Sequence, residues 1–317
     1  MKSPTVKLVP IQWDGKPISK PGLYDGIAMA AYHAPSICAG LSVSSSHLRR
    51  LAAYSPAHFY HRWPGNPQFE PEQERQHLVL GRAAHHLFLG EGLFSKSFVA
   101  ERREYPDAKS GQMKPWTYQA AYCRQWRAAQ QAEGLSILKP DDIDDLRGMA
   151  KALEANQIIK LGALNGLIEK SLFWLDKPTG LWLKARPDAI PTSSVDFVDL
   201  KITTSVLWND LQRTILDYGY HQQGALICRA AREVLKIENP TFTLVFVERK
   251  KPHCVRVVEV KDADLARGEK QNRAALDTIS RCLKSKYWPG PGGDRVEYIE
   301  LPTWAQNQID DQLTFGE

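Results

Sequence analysis

Apolar positions along the chain repeat first at helical spacing and later at every second residue, and that change of period sets the expected architecture. Residues 1–40 show neither period and are rich in Pro and Gly, which predicts a flexible N-terminal arm. Ser44-Ser45-Ser46 precedes HLRRLAAYSPAHFY, a helix start with a serine available as N-cap, and Pro56 and Pro64 break up the segment. An apolar stripe over 74–89 predicts a helix, and 91–114 reads as a polar loop carrying Arg102, Arg103, Lys109 and Lys114. Two more helices are expected over 115–133 and 141–158, the second opening at Pro140-Asp141-Asp142.

From residue 170 the period shortens. Segments 170–175, 181–188 and 195–202 are short, close to alternating and bounded by turn residues, which predicts a three-strand meander. A helical stretch over 206–234, strands over 241–248 and 253–260, and a charged helix over 261–286 complete the pattern, which ends near Trp288-Pro289-Gly290. There is no internal repeat and no low-complexity block. The order predicts one α/β domain over 41–317, with a mixed central sheet flanked by helices.

Composition narrows the class. The 317 residues are 43% hydrophobic, 24% charged and 9% aromatic, ordinary globular values that exclude disorder, collagen-like repeats and a disulfide scaffold. A net charge of +5, from 41 basic and 36 acidic residues, permits a nucleic-acid partner without demanding one. Cys38, Cys123, Cys228, Cys254 and Cys282 form no CxxC pair, so a zinc ribbon and a four-cysteine iron–sulfur site are excluded. With no apolar leader and no run of about 18 apolar residues, a soluble, cytoplasmic protein without a membrane partner is expected.

The segment WLKARPDAIPTSSVDFVDLK holds the candidate chemistry. Side chains alternate on a strand, so Lys184, Arg186 and Asp188 share one face, and Asp199 and Lys201 share a face of the next strand. A turn at Pro191-Thr192-Ser193-Ser194 would bring Asp188 opposite Asp199. Two converging carboxylates repel unless a cation neutralises them. A hard divalent ion, Mg²⁺ or Mn²⁺, suits such oxygen ligands, and the Leu200 carbonyl could supply another. Lys201 beside that ion could orient or help deprotonate a water, or offset the charge of a phosphate. A D-x-K on an edge strand is also a common solvated face; the P-D standing upstream, in a meander followed by a helix, favours phosphodiester hydrolysis.

Asp188 and Asp199-Leu200-Lys201 resemble the PD-(D/E)xK nuclease signature. SSSHLRRLAAYSPAHF, LGRAAHHLFLGEGLFSKSFV, IEKSLFWLDKPTGLWLKARPDAI, VDLKITTS and YGYHQQGAL resemble one branch, the phage and prophage exonucleases similar to exodeoxyribonuclease VIII (RecE-type). The resemblance implies a restriction-endonuclease-like core and Mg²⁺-dependent 5′→3′ degradation of linear double-stranded DNA. It also implies a ring-like oligomer, expected to be a tetramer, and a 3′ strand left for a single-strand annealing recombinase. It further implies a phage- or prophage-encoded enzyme of a bacterial host. Endonuclease or single-strand activity on the same scaffold, a catalytically silent DNA-binding homologue, and action on another phosphoester are the rivals.

The family's glycine-x-x-x-histidine falls on Gly81 and His85 and makes His85 a metal ligand, although a histidine on an apolar helix is commonly a core residue and His86 is adjacent. Glu169, just before the meander, could reach the same ion or be a solvated turn residue. The family's tyrosine and glutamine fall on Tyr220 and Gln223, which implies DNA contact and support of the active site; where the family often has a tyrosine four residues later, this chain has Ile227. Lys184 and Arg186 are candidate phosphate contacts. Arg249-Lys250-Lys251 reads first as a charged hairpin turn.

Overall fold

Pro187 stands where the chain passes from one sheet to another. The computed structural model describes residues 8–70, 76–90, 93–190 and 194–314. The first part holds β1 (Ile11–Gln12), β2 (Gly22–Asp25), α1 (Met29–His33), β3 (Ser42–Ser44), α2 (Ser45–Ala53), α3 (Pro56–His61) and α4 (Gln76–Leu89). The middle holds β4 (Phe98–Ala100), β5 (Glu104–Pro106), β6 (Met113–Pro115), α5 (Ala121–Ala132), β7 (Ser136–Leu138), α6 (Pro140–Ala155) and α7 (Gln157–Lys160). Then come β8 (Leu167–Ile168), β9 (Ser171–Asp176), β10 (Leu181–Ala185), β11 (Ala189–Ile190), β12 (Asp196–Thr203), α8 (Trp208–Asp217) and α9 (Tyr220–Ala230). The last elements are β13 (Thr241–Glu248), β14 (Val255–Glu259), α10 (Asp262–Ser285) and α11 (Thr303–Thr314).

The expected meander is therefore split. β9 and β10 pair as a hairpin inside a sheet of order β1-β2-β9-β10-β3, whereas β11 and β12 belong to a second sheet, β14-β13-β12-β11-β8. The strand expected over 181–188 stops at Ala185 because Pro187 has no N–H to donate to a ladder. Both sheets are mixed; β12 runs parallel to β13 and antiparallel to β11. The turn expected at Pro191-Thr192-Ser193-Ser194 falls on residues 191–193, outside the described residues, apart from Ser194.

The second sheet is filled on both sides. Phe197, Phe242, Leu244 and Phe246 join α2, α9, α10 and the first sheet in one core, while Val198, Leu200, Val245 and Val247 join α4 and α6 in another. Each such buried side chain contributes about 1.5–3 kcal/mol. The alternation leaves Asp199 and Lys201 on the α9 face. α9 lies close over α10, where a Cβ on Gly268 would come within 2.5 Å of the His221 carbonyl oxygen.

Two expectations are corrected. Residues 8–40 are not a loose arm: β2 pairs with β9, and Ile18, Tyr24, Tyr32, Ile37 and Cys38 are buried in a cluster with Phe173 and Trp182. No period shows in this segment because its short strands pair with others far along the chain. Residues 93–114 are likewise not one polar loop; they carry β4, paired with β7, and most of the β5–β6 hairpin. Arg249 and Lys250 do form the β13–β14 turn, where they pair with Asp142 and Asp145 of α6. Beyond α10, Trp288 stacks on Tyr60, and α11 buries none of its residues. Among the described residues no helix is long and apolar enough to cross a membrane.

Candidate metal centre

The β11–β12 hairpin supplies both carboxylates. Ala189 pairs with Val198, so Asp188 comes opposite Asp199. The Asp188 N–H donates to Asp199 Oδ1 at 3.2 Å, and the Leu200 N–H donates to Asp188 Oδ2 at 2.6 Å. A residue's N–H and C=O leave an extended strand on the same edge, so the Leu200 carbonyl lies on the site's side of β12. Asp199 Oδ2 accepts from Lys201 Nζ and from Gln223 Nε2, both at 2.5 Å. Gln223 reaches it because α9 covers that face of the sheet.

His85 comes from α4 and places Nδ1 3.3 Å from Asp188 Oδ1. His86, about 100° further round the helix, packs instead against Phe94 and Phe98. Glu169 sits just after β8, with Oε1 3.9 Å from His85 Nδ1. Its φ of +52° is left-handed, a conformation costing a non-glycine residue roughly 1 kcal/mol. The Glu169 N–H donates to the Asp188 carbonyl at 3.0 Å, which ties this strained residue to the carboxylate hairpin.

Charge explains the protonation states. Burial opposes ionisation of Asp188, but the His85 ring and Lys201 outweigh it and hold the carboxyl below its ordinary range. Asp199 is pushed up by burial and by the charge of Asp188. Burial alone would lower His85, yet Asp188 and Glu169 push it up to about 10. Lys201 is likewise raised: burial disfavours its charge, and Asp199 and Asp188 more than restore it. The cluster thus attracts positive charge, as a site for a metal cation does.

The donor set fits such a cation. One donor atom each from His85, Glu169 and Asp188 lies within 4.8 Å of the others. Bonds of about 2.1 Å place opposite ligands of a small divalent ion about 4 Å apart, so little closure is needed. Two carboxylates and one imidazole suit Mg²⁺ or Mn²⁺. Asp199 stands beside this trio, its oxygens taken by Lys201, Gln223 and the Asp188 N–H.

Lys184 and Arg186 lie on the same side, and each donates hydrogen bonds within the chain. Lys184 is 1% exposed and donates to the Tyr32 carbonyl at 2.6 Å. Arg186 donates to Ser171 Oγ and to the Ile27 carbonyl, each at 2.8 Å. Both nevertheless line the cleft at the metal centre, with these donors engaged by the N-terminal segment and Ser171. Tyr220 stands over Lys201, Nζ lying 5.3 Å from its ring centroid. Among the described residues, nothing lies close enough to Gly81 to exclude a side chain there.

A cleft of about 230 Å³ opens onto His85, Glu169, Asp188 and Gln223 and is lined also by Lys184, Arg186, Ser44 at the end of β3, and Ser45, Ser46 and Arg49 of α2. Ile227 also lines it. In the sequence the serine run marks only a helix start, and Arg49 carries no expectation. The available signal was an arginine one turn into a helix that opens on three serines.

A buried carboxylate pair on a hairpin, a lysine two residues on and a mixed sheet between helices define a PD-(D/E)xK-type fold and site. The chain belongs to the family described as PDDEXK-like domain of unknown function (DUF3799), whose profile matches residues 44–302. Among solved structures it is similar to a protein of Eubacterium rectale described as a candidate exonuclease, with a TM-score of 0.55 and 14% identity over 82% of this chain and 91% of that one. A phage-related exonuclease of Haemophilus somnus 129PT aligns over 64% of this chain and 94% of its own, at 12% identity and a TM-score of 0.30. No curated protein matches the chain.

Proposed function

We propose that the protein is a metal-dependent exodeoxyribonuclease that degrades linear double-stranded DNA 5′→3′. The observation that carries this reading is the meeting of Asp188, Asp199 and Lys201 with His85 and Glu169 at one end of the β11–β12 hairpin, within a PDDEXK-like domain. His85, Glu169 and Asp188 would hold a Mg²⁺ or Mn²⁺ ion, with Asp199 and the Leu200 carbonyl at its side. Such an ion lowers the pKa of a bound water and neutralises a scissile phosphate.

The chain's own residues do the rest. Asp199 holds Lys201 in its ammonium form, so Lys201 stabilises the negative charge that develops on the phosphate, and Gln223 fixes the Asp199 carboxylate in turn. Arg49 and the serines of α2 line the approach to the cleft, where backbone phosphates would pass.

In the same proposal the chain acts as a ring-like homo-oligomer, a tetramer, in the cytoplasm of a bacterial host. It leaves a 3′ strand for a single-strand annealing recombinase in phage-type recombination. The exposed apolar residues of the C-terminal segment, among them Val296, Tyr298, Ile299 and Trp304, support assembly.

The test is digestion of linear and covalently closed DNA carrying 5′ or 3′ labels, with Mg²⁺ or with EDTA. Metal-dependent loss of linear DNA alone, releasing the 5′ label first, is expected. Cutting of the closed circle would make the protein an endonuclease, and binding without cleavage would make it a silent DNA-binding homologue.

A further inference from the structure

Tyr218 is a large aromatic residue that the fold leaves mostly open to solvent. It lies at the corner between α8 and α9, and it is 62% exposed. One ring neighbour is Tyr220, stacked at 5.6 Å between centroids and 15° between planes. Tyr220 in turn lies 5.3 Å from Lys201 Nζ and 5.9 Å from the Arg49 guanidinium carbon, with Phe246 behind it. The exposed ring is therefore two short steps from the charged floor of the site, a span of a few nucleotides at about 3.4 Å of rise each.

The corner is rigid. Arg49 Nη1 donates to the Tyr218 carbonyl at 2.5 Å, and the Tyr218 N–H donates to the Thr214 carbonyl at 3.0 Å. Gly219 comes next with a φ of +62°, and a Cβ there would come within 2.9 Å of Arg49 Cδ. A side chain could not be added at Gly219 without moving the arginine. A ring set in place before binding loses little freedom when a partner stacks on it.

We infer that Tyr218 and Tyr220 form a stacking platform on which Tyr218 receives the exposed face of a terminal nucleobase at a DNA end. The inference rests on the proposed nuclease function and specifies how an end is told from the interior of a duplex. Aromatic rings stack on any base, because every base has a π-face. An internal base pair shows a protein only its edges in the grooves. The last pair of a linear duplex, or a frayed base, shows its face. A platform beside the cleft therefore favours ends without reading sequence.

The experiment measures binding separately from cleavage. Full-length wild-type, Tyr218→Ala and Tyr218→Phe proteins are titrated by fluorescence anisotropy against a short duplex, with Ca²⁺ in place of Mg²⁺. Three duplexes are compared: one with normal ends, one with an abasic terminal nucleotide, and one with hairpin-closed ends. Circular dichroism melting confirms that each variant is folded. Tyr218→Ala is expected to weaken binding to the normal end roughly tenfold, within the range of about 5- to 150-fold for a stacked base. Tyr218→Phe should stay within about twofold, because the ring is retained. Wild type should lose a similar factor on the abasic end, and Tyr218→Ala should no longer distinguish the two open ends. All three proteins should bind the hairpin-closed duplex alike. Equal binding of the normal end by wild type and Tyr218→Ala, or an equal loss on all three duplexes, would overturn the platform while leaving the nuclease function intact. Absence of metal-dependent cleavage by the wild type would overturn the nuclease function, whatever the anisotropy shows.

Discussion

Each of the two sheets turns a lysine inward, and the pair shows what makes a cation part of a site. Lys184 of the first sheet has no carboxylate partner among the described residues. It caps the Tyr32 carbonyl and lies 5.0 Å from the Tyr32 ring centroid, and burial lowers its pKa to about 8. Lys201 of the second sheet is also drawn in from solvent, yet Asp199 and Asp188 raise it above its ordinary value. Both lysines obey the same alternation along a strand. The difference is the neighbouring charge: one lysine completes a packed structure, the other completes a carboxylate cluster.

The largest effects should fall on the second sheet. Asp199→Ala and Lys201→Ala are each expected to reduce cleavage about 10³-fold or more, since several kcal/mol of charge stabilisation would be lost, while DNA binding persists. Single-turnover rates and anisotropy would check this, and preserved cleavage in both variants would sink the assignment. In the first sheet the order reverses. Lys184→Ala should cost about 2–4 kcal/mol of stability by leaving a cavity and an unpaired carbonyl, with cleavage per folded molecule changed only a few-fold. Urea unfolding separates the variants of the two sheets.

Metal affinity sharpens the contrast further. His85→Ala should weaken Mn²⁺ binding in calorimetry by about tenfold or more, and His86→Ala should leave it nearly unchanged, because only His85 faces Asp188. Equal losses would remove the reason for choosing His85.

A pH comparison tests the lysine of the first sheet directly. Its folded pKa of about 8 lies below its ordinary value of 10.5. Between those values the unfolded chain keeps the proton that the folded chain has released, so stability should rise with pH across that window. Below it both states are protonated and the penalty is constant. Lys184→Met should abolish the rise, and a wild-type curve parallel to that of the variant would refute the burial argument.

The smallest effect concerns Glu169. Glu169→Gly relieves the positive φ and should gain roughly 0.5–1 kcal/mol of stability while weakening Mn²⁺ binding. A thermal melt and a metal titration should move in opposite directions.

Much of the second sheet is legible in the sequence. β13 spans the expected residues 241–248, α10 lies within one residue of its expected ends, and the alternation through Asp188, Asp199 and Lys201 predicts the register observed at Ala189 and Val198. The first sheet is not legible in the same way. Its strands β1, β2 and β3 are two to four residues long, and β2 and β3 find partners nearly half the chain away. Short strands carry too few alternating positions to show a period.

Sequence alone determined which side chains share a face, because alternation along a strand and rotation along a helix are local geometry. It therefore placed Asp188 against Asp199 and kept Lys201 with them. The family resemblance pointed to His85; only tertiary structure turned its ring to Asp188 and that of His86 to Phe94 and Phe98, laid Gln223 of α9 over Asp199, and set the N-terminal segment against Lys184 and Arg186. Those outcomes depend on contacts between residues far apart in the chain. No local period records such contacts, and in the low-dielectric interior they shift the titration of His85, Asp188, Asp199 and Lys201.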